Sequence, residues 1–295
     1  MTKIFAVLIA IAFIGGCDVE DVNFELETME ATESSKICFE EKNGSIEPCA
    51  VEVTVSVEPS QCRIALIDTN AKVEFNRHGR NDSSSGAGRN EGNAQTLSMN
   101  VTFNEVQGGT ARIPVDIYLH TTGRCPVGPY KRTYVKEIVG TNPDSKQVCD
   151  RMNSLPVSAT LYYRTGFKMF DSSGEPLHKD GKFGMALIAD PNASQIWDWH
   201  ENVDSLQTQF QTYLEAARNY PAEVRSATGM PYPDFPDGRL IREAIARQEG
   251  GQWFEPHPNL PTWQESASVP QAARDIADVV AAVEQGNPPD GWCSQ

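Results

Sequence analysis

The residues able to do chemistry are few and scattered along this 295-residue chain. Its seven cysteines divide into Cys17 near the start and an even set, Cys38, Cys49, Cys62, Cys125, Cys149 and Cys293. In an oxidising compartment that set predicts three disulfides, whose pairing the spacing leaves open. No Cys-x-x-Cys occurs, which argues against a zinc ribbon, a c-type haem or a thioredoxin-like site. His78, His120, His178, His200 and His257 lie apart, none in a His-x-x-x-His or His-Glu-x-x-His spacing, so neither a metal nor a cofactor is expected. His200 and Glu201 are neighbours in sequence, yet adjacent helical residues point to different sides. Trp197, Trp199, Trp253, Trp263 and Trp292 fall in the C-terminal third. Indole faces stack on sugar rings, but each ring also buries a large area and suits a core. Trp253 and Trp263, flanked by Gly, Pro and His257, are the best placed to line a groove. No Gly-x-Ser-x-Gly elbow, P-loop or Rossmann fingerprint is present.

Lys3 precedes an apolar run from Ile4 to Ile14 that ends in Gly15, Gly16 and Cys17. A charged start, an apolar core too short to span a bilayer and a small-residue cleavage site form a secretory signal. The Ile-Gly-Gly-Cys ending resembles a bacterial lipobox. That resemblance implies a signal peptide over residues 1–16 and acylation of Cys17 as the first mature residue. Asp18 at the next position implies retention at the inner membrane, facing the periplasm. Two or three acyl chains hold firmly, since each buried methylene adds roughly 0.8 kcal/mol. The net charge of −15 excludes nucleic acid as a partner, because phosphate binding rests on Lys and Arg displacing counterions. It leaves the lipid as the natural membrane contact.

The elements that must position any site follow from periodicity, which predicts a multidomain α+β protein. Residues 17–37 carry Asp18, Glu20, Asp21, Glu25, Glu27, Glu30 and Glu33 against Lys36 and read as an acidic tether. Over residues 38–140 apolar residues alternate: Val51, Val53, Val55 and Val57; Leu97, Met99, Val101 and Phe103; Ile113, Val115, Ile117 and Leu119. Ile64 with Leu66, and Val73 with Phe75, suggest two further strands, and Tyr130 to Val139 another. This pattern predicts an immunoglobulin-like β-sandwich, with the Ser- and Gly-rich stretch from Arg77 to Asn93 as a mobile loop. Residues 141–149 read as a linker and residues 150–295 as helical. Asn192 or Ser194 is the expected cap of a helix carrying Leu206, Phe210, Tyr213, Leu214 and Ala217. Asp237 caps another with Leu240, Ile241, Ala244 and Ile245. The last helix aligns Val269, Ala273, Ile276, Val280 and Val283 before Gly286 and Pro288. Residues 156–164 fit either a strand or a helix.

Two stretches of the helical half carry a resemblance. The first runs Tyr162-Tyr-Arg-Thr-Gly-Phe-Lys-Met-Phe170, then Gly174-Glu-Pro-Leu177 and Gly181-Lys-Phe-Gly-Met-Ala-Leu187. The second is Ile196-Trp-Asp-Trp-His-Glu-Asn-Val203, followed by Arg242-Glu-Ala-Ile-Ala-Arg-Gln-Glu-Gly-Gly251. In this order they resemble the lysozyme-like domain of soluble-type lytic transglycosylases, which cleave peptidoglycan. The family runs Glu-Ser-Gly-Phe, Gly-x-Gly-x-Met-Gln, in one branch Trp-Asn-Trp-Lys-x-Asn, and later Ala-x-Tyr-Asn-x-Gly. Here Arg164 stands at the catalytic Glu position before Thr165-Gly166-Phe167, Ala186 replaces the Gln after Met185, and Gln248-Glu249 replaces Tyr-Asn. The family's chemistry needs a protonated carboxylic acid held in an apolar cleft, and arginine does not release its proton near neutral pH.

The resemblance therefore implies a lysozyme-like domain that binds peptidoglycan or an envelope partner with catalysis lost or reduced. Met185, Gln248, Trp253 and Trp263 are its glycan-binding candidates. Two carboxylates keep open an active lytic transglycosylase: Glu175, in a Ser-Ser-Gly-Glu-Pro turn, and Glu249, whose Ala-Arg-Gln-Glu-Gly string itself resembles the catalytic Ala-Arg-Gln-Glu-Ser-Gly. A third reading is a non-enzymatic envelope protein acting through protein contacts alone.

Overall fold

A computed structural model describes residues 24–25, 41–42, 45–48, 50–57, 62–120 and 128–293. Cys17, Asp18, Cys38, Cys49 and Cys125 lie outside the described residues, as does all of the acidic tether but Phe24–Glu25. The first half consists of strands β1 (Phe24–Glu25), β2 (Glu41–Lys42), β3 (Ser45–Ile46), β4 (Ala50–Val57), β5 (Ile64–Phe75), β6 (Asp82–Ala94), β7 (Thr96–Phe103), β8 (Gly109–Leu119) and β9 (Tyr130–Ile138). Strands β2 and β3 pair with each other; the rest join one curled antiparallel sheet in the order β1-β4-β7-β6-β5-β8-β9. Alternation along β4, β7 and β8 sends Val53, Val55, Val101, Phe103, Ile113, Val115 and Ile117 into one core shared with Ile64, Ile67 and Val73 of β5. Those apolar faces leaving water are what hold the sheet together. The two strands suggested by Ile64 and Phe75 are a single 12-residue strand, with a register shift between Ile64 and Leu66.

The stretch read as a mobile loop is instead β6, a 13-residue strand inside the sheet. It pairs with β5 from Ile64↔Ala94 to Phe75↔Asp82, and touches β7 at Gly86↔Phe103 and Ala87↔Thr102. Glycine is needed at this crossing. A Cβ on Gly86 would lie 2.8 Å from the Phe103 ring, and one on Gly88 would lie 2.7 Å from the Asn100 carbonyl. The composition that hides the strand from a hydrophobic-periodicity reading is the composition that lets β7 approach it.

The second half contains α1 (Ser145–Arg151), α2 (Leu155–Thr165), β10 (His178–Lys179), β11 (Lys182–Phe183), β12 (Ile188–Ala189), α3 (Ala193–Trp197), α4 (Trp199–Thr228), α5 (Asp237–Gln248), β13 (Phe254–Pro256), β14 (Trp263–Glu265) and α6 (Gln271–Glu284). The ambiguous segment is α2, with Pro156 in its first turn and Gly166 ending it in the left-handed conformation at φ 61°. Asn192 caps the short α3, and Asp198 caps the 30-residue α4. Asp237 opens α5 rather than capping it. Helix α1 lies largely within the expected linker, capped by Asp144. A disulfide joins Cys149 on α1 to Cys293 across 144 residues, and Cys62 is also disulfide-bonded. Among the described residues no helix is long and apolar enough to cross a membrane.

The halves interlock. Phe75, at the end of β5, belongs to the helical core and meets Trp197 edge-on at 5.3 Å. A Cβ on Gly108 would strike the same indole at 2.3 Å, and one on Gly140 would strike Phe170 at 2.2 Å. Asn142 ties the junction, accepting the N–H groups of Met169 and Phe170 and donating to the Phe170 carbonyl. Truncating a buried ring such as Phe75 costs about 3–5 kcal/mol.

Candidate functional site

The candidate site forms where the end of α2, the Met185–Ala186 segment and the end of α5 converge. Arg164 occupies the last turn of α2, with its side chain only 13% exposed. Its Nη2 donates to Glu249 Oε1 at 2.7 Å and its Nη1 donates to the Ala186 carbonyl at 2.5 Å. Glu249 is the C-cap of α5, and its side chain is 16% exposed. Arg164 and Glu249, which the sequence resemblance singled out in separate strings, are therefore partners. The oxygen of Glu249 nearest Arg164 is occupied accepting a guanidinium N–H. Tyr163 stands beside the pair: burial first, then the carboxylates of Asp275 and Glu249, raise its phenol above the ordinary tyrosine value.

The Met185–Ala186 segment is strapped from both sides. Thr165 Oγ1 donates to the Met185 carbonyl at 3.1 Å. From α4, the buried Asn202 accepts the Ala186 N–H at 2.7 Å and donates to the Gln195 and Phe183 carbonyls. Fully satisfied buried amides of this kind fix a backbone in one place. The Thr165-Gly166-Phe167 turn needs glycine for its conformation rather than for space, since a Cβ at Gly166 meets nothing within 4 Å. Phe167 follows, also left-handed at φ 63°, buried against Tyr162 and Trp292.

Glu175 lies elsewhere, at the junction of the halves. It accepts from Arg77 Nη1, and His78 Nε2 lies 3.7 Å from its other oxygen. His78 stacks on His178 with centroids 4.4 Å apart, and His178 packs on Phe183. Each candidate acid thus has an arginine against it, and the two belong to separate networks. Of the glycan-binding candidates, Met185 and Gln248 lie on the segments that meet at Arg164, whereas Trp253 and Trp263 lie away from that pair. Met185 is fully buried, while Trp253 and Trp263 are 5% and 8% exposed and belong to the helical core. Arg242 and Arg274 stand over the Trp253 ring at 5.6 and 5.8 Å. Trp263 packs with Tyr220, Tyr232 and Phe235 and donates its indole N–H to the Pro233 carbonyl. Gln248, beside Glu249, keeps both amide atoms buried.

Two carboxylates escaped the sequence reading. Glu243, fully buried, accepts Arg247 Nε at 2.8 Å with one oxygen and the N–H groups of Trp253 and Phe254 with the other, at 2.9 and 3.0 Å. It clamps the chain leaving α5 back onto that helix. Its only trace in sequence is the four-residue spacing to Arg247, shared by many exposed helical pairs. Asp198, the cap of α4, has its carboxyl raised above the usual aspartate value chiefly by burial, with His200 Nδ1 3.6 Å away. Among the described residues no group of three or more His, Cys, Asp or Glu could hold a metal ion. The sequence matches no protein-family model and no curated relative.

Proposed function

We propose that this chain is a lipid-anchored, periplasm-facing lipoprotein, attached through Cys17 and retained at the inner membrane by Asp18. Its helical half is a lysozyme-like domain that binds peptidoglycan or an envelope partner, with catalysis lost or reduced. Its sheet half is an immunoglobulin-like module that spaces this domain from the membrane. The observation that supports this reading is the Arg164–Glu249 pair. Two strings resembling the catalytic segment of lytic transglycosylases meet in space, and the cation of one occupies the carboxylate of the other. A general acid for glycoside cleavage needs a proton to donate toward the glycosidic oxygen, and this carboxylate accepts a guanidinium N–H instead.

The test is co-sedimentation of the chain with purified peptidoglycan, with released muropeptides followed in the same tube. Binding without release is the expected result. Release of anhydro-muropeptides that stops on Glu249→Gln or Glu175→Gln makes the chain an active lytic transglycosylase. A chain that stays in the supernatant and releases nothing overturns the wall-binding reading.

A further inference from the structure

The two edges of the large sheet are unlike. At one, β4 is partly covered by the two residues of β1; at the other, the nine residues of β9 pair only with β8 among the described residues. Lys131, Arg132, Thr133, Val135 and Glu137 of β9 are exposed, Val135 by 53%. A long exposed edge offers backbone N–H and C=O groups to any strand able to approach it. On the core side of β9, Tyr130 and Tyr134 pack against the sheet core and hold the strand in place. Register puts Arg132 on that same side opposite Val115, whereas Val135 lies opposite Arg112 on the outer side.

The charge along this edge opposes that of the whole chain. Lys131, Arg132 and Lys136 lie on β9 and Arg112 beside it, in a chain of net charge −15. Lys131 has Asp116 at 3.5 Å, and Glu137 is engaged by Thr110 and Arg77. Arg112, Arg132 and Lys136 have no carboxylate within salt-bridge distance among the described residues. Like charges repel when two such edges meet, so the basic residues guard against β9 pairing with a second β9. They do not guard against an acidic strand, which they attract.

We infer that the edge of β9 over residues 131–138, open among the described residues, is a docking site for an extended acidic peptide of a partner protein, added to the sheet as a further strand. Backbone hydrogen bonds supply affinity, and basic side chains on both faces, Arg132 and Lys136 on one and Lys131 and Arg112 on the other, attract a strand whose carboxylates, one at every second residue, fall on either face. The site lies on the sheet half and stands apart from the wall-binding reading, which concerns the helical half.

The test uses the full chain and a fluorescent peptide of alternating Glu and Thr, with an alternating Lys and Thr peptide as comparison. A third peptide carries the acidic sequence with every backbone amide N-methylated. The acidic peptide is expected to bind and the basic one not to bind. Raised salt, or the exposed-site pair Arg132→Glu with Arg112→Glu, should weaken binding roughly tenfold or more. N-methylation should abolish it, because it removes the donors that strand addition needs. Unchanged circular dichroism and melting of the variant show that the sheet is intact. Equal binding of the two charge types, indifference to the substitutions, survival of binding after N-methylation, or no binding of the acidic peptide at low salt would each overturn the proposal.

Discussion

Arg164 Nη2 and Glu249 Oε1 lie 2.7 Å apart although 85 residues separate them in sequence. This contact joins the last turn of α2 to the cap of α5 and leaves both side chains mostly out of water. Removing one member of such a pair strands the other charge. Arg164→Met should therefore lower stability by about 2–3 kcal/mol, and adding Glu249→Gln should restore part of the loss. Urea unfolding of the two single variants and the double variant gives the coupling directly. Strictly additive losses would mean that the pair contributes nothing as a pair.

Glu243 offers a sharper case, because one carboxylate oxygen serves two backbone N–H groups while the other serves Arg247. Glu243→Gln preserves shape but turns an amide N–H against either the arginine or the backbone donors. A loss of about 2–4 kcal/mol is expected. Limited proteolysis should show earlier cleavage after α5, around Gly250–Gly251. A variant as stable and as resistant as the parent would rule out the clamp.

His78 predicts a pH dependence. Burial, then His178 and Arg77, hold its imidazole below the ordinary histidine value of 6.5, and Asp171 opposes them. The other groups facing it are Glu175, Phe75 and Phe183. Above 6.5 the ring is neutral whether the chain is folded or not. Below it, the unfolded chain takes up a proton that the folded chain resists, so stability falls as pH drops from 6.5 toward the lowered folded value. His78→Asn, which tolerates the left-handed backbone at φ 53°, should flatten this slope in melting temperature against pH. An identical slope would place the dependence elsewhere.

Gln107 is fully buried, and neither its Oε1 nor its Nε2 has a hydrogen-bond partner among the described residues. An uncompensated buried amide costs about 1–3 kcal/mol. Gln107→Met, close in volume and free of that cost, should raise the unfolding free energy by about 1–2 kcal/mol. A loss of similar size on calorimetry would mean that the amide is satisfied in solution.

Alternation alone located β4, β7 and β8, because each buries one face and a period of two records that. Helical spacing, with Gly286 and Pro288 behind it, located α6 in the same way. Strand β6 left no such record. Its serines and glycines become a strand because β5 and β7 lend it hydrogen-bond partners and need its missing Cβ atoms for their approach. The cap of α4 was misplaced because Asn192, Ser194 and Asp198 are all good caps, and a short helix ending at Trp197 intervenes.

The sequence by itself determined the α+β class, the order of sheet before helices, the acidic balance and the segments from which a site could be built. Tertiary structure decided which side chains meet. It brought Arg164 to Glu249, drew Trp253 and Trp263 into the core and set Glu175 against Arg77 at the junction of the halves. Periodicity records only whether a residue faces water or the interior, a property of one element at a time. A partnership across 85 residues depends on how several such faces pack together, and no local spacing encodes that.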